Sequence, residues 1–161
     1  MDPPWGNDFT LKTFRSLKNV KKMIKSGLLF VWVEKDMIPD VLDVLNEWYF
    51  SYVENIAWVQ KHVNNTFYQD ASPYFNRSKL TLLVCRRRET KEGDRYAPVD
   101  LQHQRNPDVI FDFVREIDGR VEKPDMVYTT IETLLPNAKR LLLWGTRSFV
   151  RDAEWTVVVE K

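Results

Sequence analysis

The sequence opens with a carboxylate, two prolines and a tryptophan, Asp2 to Trp5. Each proline ring fixes φ and removes an amide donor, so the Pro3–Pro4 pair is stiff and does not fit inside a helix or a central strand. A carboxylate and a backbone carbonyl held this rigidly can both accept hydrogen bonds from one amino group. Asp2 and a carbonyl of Pro3 or Pro4 therefore indicate a site that activates a weakly nucleophilic amine.

The exocyclic amine of adenine is a poor nucleophile of this kind, because its lone pair is delocalised into the ring. Methylating it requires acceptors that draw the nitrogen toward tetrahedral geometry and stabilise the positive charge that develops on it. The flat ring of Trp5 could stack on a base taken out of its helix. The alternative interpretation of the same residues is a loop turn without chemistry.

Strand-like and helix-like segments alternate along the chain, and they must position the segment from Asp2 to Trp5. Six apolar runs are predicted as strands: 28–33, 52–59, 79–85, 109–114, 140–145 and 155–160. Helical spacing of apolar residues predicts a helix within 38–50, and a second helix over 126–135 follows Pro124. This alternation predicts an α/β sheet built from crossover units, with ligands at the carboxyl ends of its strands.

Length and composition favour one domain, residues 1–161, with a core of its own. In an α/β sheet, a buried strand normally leads into a site such as the Asp2–Trp5 segment. Only Met1 precedes Asp2 here, so we expect the domain to lack that strand. The single cysteine, Cys85, lies in an apolar run and is predicted to be a core residue. No stretch is apolar enough to cross a bilayer, and no zinc or phosphate-loop motif is present, so we expect no membrane role and no metal ion.

Charge does not by itself indicate a nucleic-acid binder, since 24 basic residues face 23 acidic ones. Basic residues cluster locally at Arg86 to Arg95 and at Lys18 to Lys25. Taken alone, both clusters are typical of solvated surface.

Two segments, 60–78 and 86–107, are longer than ordinary connections, which indicates functional loops. Aromatic residues of the first, among them Tyr74, could close over an extracted base or could simply pack the loop onto the sheet. The sequence leaves both interpretations open.

Almost the whole chain resembles the eukaryotic adenine-N6 methyltransferases of the MT-A70 family. The blocks that carry the resemblance are, in order, DPPW at 2–5, the segment 27–59, SKLTLLV at 78–84, the segment 114–136 with its Lys-Pro-Asp motif, and RLLLWGTR at 140–147 with Trp155. DPPW alone arises easily by chance, whereas DPPW followed by these blocks in this order is specific.

The resemblance implies a Rossmann-like sheet flanked by helices, with S-adenosylmethionine as methyl donor and adenine in nucleic acid as acceptor. The residues it implies for catalysis at the amine are Asp2, Pro3, Pro4 and Trp5. Those implied or expected to bind the donor are Asp2, Lys123, Gly145 and Arg147. Those expected to contact nucleic acid are Trp5, Tyr74, Arg86, Arg87 and Arg88. For Lys123, a surface lysine at a helix start is the alternative.

Several positions depart from the family pattern, and they concern the donor pocket. The departures are Gln60, Leu80, Leu142, Thr146 and the segment RDAEW at 151–155. A divergent member that keeps DPPW is most similar to the ciliate and early-fungal branch, which implies methylation of DNA.

The resemblance also implies partners, because members of this family typically act as one active and one degenerate chain. We therefore expect a heterodimer with an inactive paralogue, further DNA-binding subunits and a nuclear location. Such partners would supply the phosphate contacts that a near-neutral chain lacks. The alternatives are an RNA substrate, a catalytically silent subunit that binds nucleic acid, and an interaction domain without activity; the intact DPPW disfavours the silent subunit.

Overall fold

The computed structural model describes residues 1–6, 8–90, 95–102, 106–117, 119–147, 149–151 and 154–159. Its helices are α1 (Leu11–Ser16), α2 (Val20–Met23), α3 (Ile38–Glu47) and α4 (Asp125–Leu134), with a 3-10 turn at Lys35–Met37. Its strands are β1 (Leu28–Val33), β2 (Phe50–Lys61), β3 (Lys79–Arg87), β4 (Val109–Phe113), β5 (Glu116–Ile117), β6 (Arg120–Val121), β7 (Arg140–Leu143) and β8 (Trp155–Val158). The predicted α/β class, the six predicted strands and the two predicted helices are confirmed.

The central sheet is mixed, so crossover units account for only part of it, and β3 returns antiparallel without one. Its strand order is β1-β3-β2-β4, with β3 antiparallel to both neighbours and β2 parallel to β4. The physical reason is the segment between β2 and β3, which contains no described helix to carry the chain back across the sheet. A separate parallel pair, β7-β8, and the β5-β6 hairpin complete the strands of the described chain.

Because β1, β2 and β4 run in the same direction, their ends lie along one side of the sheet, here called the carboxyl edge. These ends are Val33, Lys61 and Phe113, and β3 begins at the same edge with Lys79. This is the edge at which sheets of this class bind ligands.

Apolar side chains cover both faces of the central sheet. On one face, Val31 and Val33 of β1 pack with buried residues of α3, including Val44. On the other, Trp32 and Trp58 pack with the buried face of α4. Burial of this apolar surface is the main favourable contribution to folding.

Cys85 lies inside the first of these cores, as predicted. Its thiol is fully buried, and the loss of water contact raises its pKa to about 12, which disfavours the nucleophilic thiolate. None of the described helices is long and apolar enough to cross a membrane.

Met1 and Asp2 join the two sheets. The Met1 amine donates to the Phe30 carbonyl at 2.6 Å, and the Trp32 amide donates to the Met1 carbonyl at 3.1 Å. On the other side the Asp2 amide donates to the Leu143 carbonyl at 3.2 Å. The segment therefore lies between β1 and β7 and delivers Asp2 to the carboxyl edge.

Burial of the Met1 amine makes stability depend on pH. Desolvation lowers its pKa from 8.0 to about 6, so between these pH values the unfolded chain binds more protons than the folded one. For the chain with a free amine at Met1, this group makes the free energy of unfolding rise by roughly 2 kcal/mol from pH 6 to pH 8. Denaturant unfolding of the free and Nα-acetylated chains tests this, because acetylation removes the contribution; parallel pH profiles would contradict it.

Candidate active site

The carboxylate of Asp2 is held by a buried ion pair. Lys123 Nζ lies 2.9 Å from Asp2 Oδ1 and 3.0 Å from Oδ2, and it also donates to the Val121 carbonyl at 3.1 Å. The side chains are only 9% and 17% exposed, for Lys123 and Asp2 respectively, so water screens the pair weakly. The ion pair thus fixes the orientation of the one carboxylate in the DPPW segment.

Local hydrogen bonds set the shape of the DPPW segment. The Trp5 amide donates to the Pro3 carbonyl at 2.8 Å, which closes a tight turn around Pro4. The Asp2 carbonyl accepts from Arg120 at 3.3 Å. The Pro4 carbonyl has no partner among the described residues, which makes it the better candidate for the backbone acceptor that the sequence predicts beside Asp2.

The structure places Trp5 in an aromatic cluster beneath this turn. Its ring centroid lies 5.5 Å from that of Phe9 and 5.2 Å from that of Phe14, and its indole N–H donates to the Trp32 carbonyl at 2.8 Å. These contacts show Trp5 anchoring the turn to β1. Its predicted contact with a base stays a prediction.

A polar cavity of about 330 Å³ opens beside Asp2 at the carboxyl edge. The predicted donor residues Asp2, Lys123 and Gly145 all line it, whereas Arg147 is exposed and does not. Its other charged lining residues are Asp112, Arg115, Glu122, Asp125 and Arg151. The cavity therefore combines carboxylates and cations within one small volume.

Gly145 is needed for close packing between β7 and β8. A Cβ atom there would lie 2.4 Å from Val157 Cγ1 and 3.0 Å from Leu142 Cδ2, both closer than van der Waals contact allows. The Gly145 amide donates to the Val158 carbonyl at 3.1 Å. The structure thus supplies a packing reason for this glycine beside its predicted role in the cavity wall.

One wall of the cavity is fixed by an ion-pair network that sequence reasoning missed. Arg151 donates to both carboxylate oxygens of Glu132, at 2.7 and 2.8 Å, and also pairs with Asp125. The Trp155 indole donates to the same Glu132 at 2.8 Å. The hydrogen bond from Arg151 is the main reason why the pKa of Glu132 lies below its usual value. The available signal was the RDAEW segment, whose Arg151 and Trp155 share this one acceptor.

Tyr128 adds an aromatic part to the same wall. Its ring lies 4.9 Å from Phe149 and 5.7 Å from Trp155, and burial raises the pKa of its hydroxyl above the ordinary value. The Tyr128 ring is half-buried, and the Arg151 guanidinium lies 5.6 Å from its centroid, so aromatic and cationic groups share this side of the cavity.

The loop that carries Tyr74 leaves β2 and re-enters β3 at the carboxyl edge, the same edge as Asp2. Tyr74 is 91% exposed. Lys35, just after β1, donates to the Phe75 carbonyl at 2.9 Å, and Arg77 pairs with Glu34. These contacts tie the loop to the chain segment that follows β1.

Arg86, Arg87 and Arg88 lie at the other end of the sheet. Because β3 runs antiparallel, Arg86 pairs with Leu28 at the start of β1, roughly 16 Å along the strand from Val33. The structure therefore does not bring the arginines together with Asp2.

The three guanidinium groups also have partners within the chain. Arg86 lies 5.0 Å from the Tyr96 ring, Arg87 donates to the Trp48 carbonyl, and Arg88 donates to Asn46 Oδ1 at 2.6 Å. Their predicted contact with nucleic acid stays a prediction. Residues 91–94 and 103–105 of the segment 86–107 lie outside the described residues.

The Asp2–Lys123 ion pair predicts a measurable coupling energy. Lys123→Met should lower the free energy of unfolding by about 3 kcal/mol, because it leaves the buried Asp2 carboxylate without its cation. In the double variant with Asp2→Asn the loss should be smaller than the sum of the single losses, by about 1–3 kcal/mol. Urea unfolding of the four chains measures this, and additive losses would contradict the pairing.

Comparisons with known proteins identify relatives of one family. The chain is 27% identical over 153 residues to the N(6)-adenosine-methyltransferase MT-A70-like protein of Drosophila melanogaster, 89% of this chain and 23% of that protein. It is 28% identical over 153 residues to an N(6)-adenosine-methyltransferase MT-A70-like protein of Arabidopsis thaliana, 89% of this chain and 20% of that protein. To the human N(6)-adenosine-methyltransferase catalytic subunit METTL3 it is 27% identical, over 89% of this chain and 24% of that protein.

The chain thus spans between a fifth and a quarter of the length of these relatives. The family model described as MT-A70 matches residues 1–160, which is nearly all of the sequence. The structure places DPPW at the carboxyl edge, and the lysine of the Lys-Pro-Asp motif, Lys123, binds the DPPW aspartate, Asp2. The chain belongs to the MT-A70 family.

Proposed function

We propose that this chain is the catalytic domain of an S-adenosylmethionine-dependent methyltransferase that modifies N6 of adenine in nucleic acid. The observation that carries the proposal is the Asp2 carboxylate, which Lys123 fixes beside a polar cavity and which two prolines follow at once. Membership of the MT-A70 family supports the same reaction.

The cavity beside Asp2 matches the chemistry of the donor. S-adenosylmethionine has a carboxylate, an ammonium group, ribose hydroxyls and a planar base, and when bound it supplies a methyl group on a positively charged sulfur. Lys123 lines the cavity, but its ammonium group already binds Asp2 and the Val121 carbonyl, so in this proposal Arg115 meets the donor carboxylate. Asp112, which pairs with Arg115 at 3.8 Å, meets the ammonium or hydroxyl groups. The aromatic wall at Tyr128 suits the base.

Asp2 acts on the adenine amine in this proposal. Its carboxylate and the Pro4 carbonyl accept hydrogen bonds from the two amine hydrogens, which draws the nitrogen lone pair out of conjugation with the ring. The carboxylate also stabilises the positive charge that forms on the nitrogen, and it is the nearest acceptor for the proton that leaves. Lys123 keeps the carboxylate in place, and the proline rings keep the turn from relaxing.

Exposed aromatic and basic side chains at the carboxyl edge favour nucleic acid as the carrier of the adenine. Tyr74, Phe75 and Phe67 are each more than half exposed on the loop that leaves β2. Lys61 and Lys79 stand where that loop begins and ends. Aromatic faces next to cations are suited to stacked, unpaired bases and their phosphates.

We favour DNA over RNA because the departures in the donor pocket set this chain apart from the family pattern. RNA is the second candidate, since the relatives are named for N(6)-adenosine, a ribonucleoside. The choice depends on contacts with the sugar rather than on the DPPW segment.

A paralogous partner chain and a nuclear location complete the proposal. The net charge is only +1, and Arg86, Arg87 and Arg88 are engaged within the chain, so a partner is needed to supply phosphate contacts. One face of β4 exposes Val109, Phe111 and Phe113, by 41%, 64% and 37%. An exposed apolar surface of this kind is typical of a protein–protein interface.

Asp2→Asn tests the catalytic role. We expect methyl transfer at saturating donor to fall about 10³-fold, because an amide stabilises the developing positive charge far less than a carboxylate does. Stabilisation by S-adenosylmethionine, read as a shift in the unfolding temperature, should persist. Asp40→Asn on the exposed side of α3 is the matched control and should keep full activity. An Asp2→Asn rate within threefold of the unchanged chain would disprove the role.

Tyr74→Ala tests the loop. Since the Tyr74 side chain is 91% exposed, its removal should leave the unfolding temperature unchanged. Loss of a stacked base should raise KM for the oligonucleotide about tenfold or more, with KM for the donor unaffected. Tyr52→Ala, an exposed tyrosine on β2 before the loop, is the control; equal effects of the two substitutions would argue against base stacking by Tyr74.

A further inference from the structure

The segment from Phe9 to Val33, which contains α1, α2 and β1, has an excess of positive charge. It contains six basic residues and no acidic one, although the net charge of the whole chain is only +1. The remainder of the chain is therefore net negative. None of the six basic residues lines the polar cavity beside Asp2, so the excess charge is not part of that site.

Helical turns continue from α1 into α2. Between the two helices, the Leu17 amide donates to the Phe14 carbonyl at 3.0 Å and the Val20 amide donates to the Leu17 carbonyl at 2.9 Å. These are the hydrogen bonds of 3-10 turns, so side chains three or four residues apart stay on one side of the segment. The basic residues with this spacing, here called the basic stripe, are Lys12, Arg15, Lys18 and Lys22.

Packing directs the basic stripe toward solvent. Phe14 of α1 and Val20 of α2 are buried in the core that contains α3 and β1, and Leu11 and Leu17 pack partly against the same core. The apolar side of both helices is thereby covered. All four side chains of the basic stripe are exposed.

Three of the four charges in the basic stripe are not neutralised within the part of the chain that the structure describes. Arg15 pairs with Glu47 of α3 at 3.3 Å. The ammonium groups of Lys12, Lys18 and Lys22 pair with none of the described carboxylates. These three lysines are therefore available to an anion from outside the chain.

Tyr49 holds two more cations next to the basic stripe. It follows α3 with a φ of 69°, a left-handed conformation that favours glycine and strains a tyrosine. Lys21 Nζ lies 5.6 Å from the centroid of its ring, and Arg87 Cζ lies 5.1 Å from the same centroid. A cation held against an aromatic ring keeps its charge, whereas a carboxylate would neutralise it. The ring therefore adds positive charge beside Lys22.

The basic stripe begins beside the DPPW segment. Phe9 and Phe14 contact the Trp5 ring, at centroid distances of 5.5 and 5.2 Å, so α1 starts next to the turn that follows Asp2. From its first to its last residue the basic stripe extends roughly 15 Å, at about 1.5 Å per residue. It then leads toward Leu28, at the end of β1 opposite the carboxyl edge. A ligand along the basic stripe thus reaches the DPPW segment at one end.

Nucleic-acid phosphates suit this surface better than a protein partner does. Lysine and arginine side chains in a row can neutralise successive phosphates of one strand. Protein–protein interfaces, in contrast, are depleted of lysine and have an apolar centre. The basic stripe consists of three lysines and one arginine. Its charge is therefore complementary to a nucleic-acid backbone.

We propose that the basic stripe binds phosphates of the strand that carries the target adenine, on one side of that base. The identity of the ligand follows from the proposed function, on which this inference rests. The basic stripe adds phosphate contacts from this chain to those assigned to a partner. It also sets the direction in which the strand leaves the DPPW segment, along α1 and α2.

Binding of labelled oligonucleotides tests the basic stripe without any assay of methyl transfer. The probes are a single-stranded oligothymidine of about 20 nucleotides with one central adenine and its RNA counterpart. Fluorescence anisotropy gives their affinities between about 50 and 200 mM salt. The test variant combines Lys18→Gln with Lys22→Gln, and a second variant replaces the same two lysines by arginine. The control combines Arg95→Gln with Lys139→Gln, which removes the same charge from exposed residues outside the basic stripe.

We expect the glutamine pair in the basic stripe to weaken binding at least about tenfold at low salt. The slope of log affinity against log salt should fall by about 1.4, because each lost phosphate contact removes about 0.7 on a single strand. The arginine pair and the control pair should stay within about threefold of the unchanged chain. All three should keep its unfolding temperature, since the substituted side chains are exposed.

Equal losses in the glutamine pair and the control pair would overturn the proposal, because net charge alone would then explain them. An unchanged chain that binds neither oligonucleotide would also overturn it. So would one that binds a polyglutamate of equal length as tightly, a result that favours an acidic protein as the ligand.

Methyl transfer, measured separately, distinguishes this proposal from the proposed function. Transfer by a chain whose binding is insensitive to the glutamine pair would refute the basic stripe alone. Binding that depends on the basic stripe, in a chain that transfers no methyl group, would refute the proposed function alone.

Discussion

The backbone hydrogen bonds of Met1 and Asp2 are the constraint on which the rest of the site depends. They hold the start of the chain between β1 and β7 and thereby fix where the Asp2 side chain emerges. From that point the proline pair leaves only one compact path, the turn closed by the Trp5 amide. The ion pair with Lys123 then orients the carboxylate from the side of α4. The position of Asp2, the turn that follows it and the orientation of its carboxylate are thus fixed by three different sets of contacts.

The central sheet, on one side, and the β7-β8 pair with α4, on the other, contribute different properties to the site around Asp2. The central sheet supplies rigidity, because β1 is buried on both faces and carries the Trp32 carbonyl that anchors Trp5. The β7-β8 pair and α4 supply the polar cavity, whose wall is fixed by Arg151 and Glu132. Such a division suits the proposed transferase, since the turn proposed to bind the amine stands next to a separately built cavity proposed to bind the donor.

Much of this could be predicted from local sequence patterns. The apolar runs at 28–33 and 79–85 identify strands. The family resemblance, through DPPW and the Lys-Pro-Asp motif, implies that Asp2 and Lys123 are site residues. The direction of β3 could not be predicted, because apolarity identifies a strand without giving its direction, and that direction places Arg86 away from Asp2. The partners of Arg87 and Arg151 lie tens of residues away along the chain, so only the fold reveals them. The short helices α1 and α2 carry too few turns to leave a periodic signal.

The most direct measurement is transfer of labelled methyl from S-adenosylmethionine to matched adenine-containing oligonucleotides. DNA and RNA, single- and double-stranded, are tested with this chain alone and with paralogous chains from the same source. The account predicts label at N6 of adenine, because it assigns Asp2 and the Pro4 carbonyl to the amine and Lys123 to holding Asp2 in place. It also predicts more label in DNA than in RNA. The absence of transfer under every combination would contradict it and would favour the silent subunit instead.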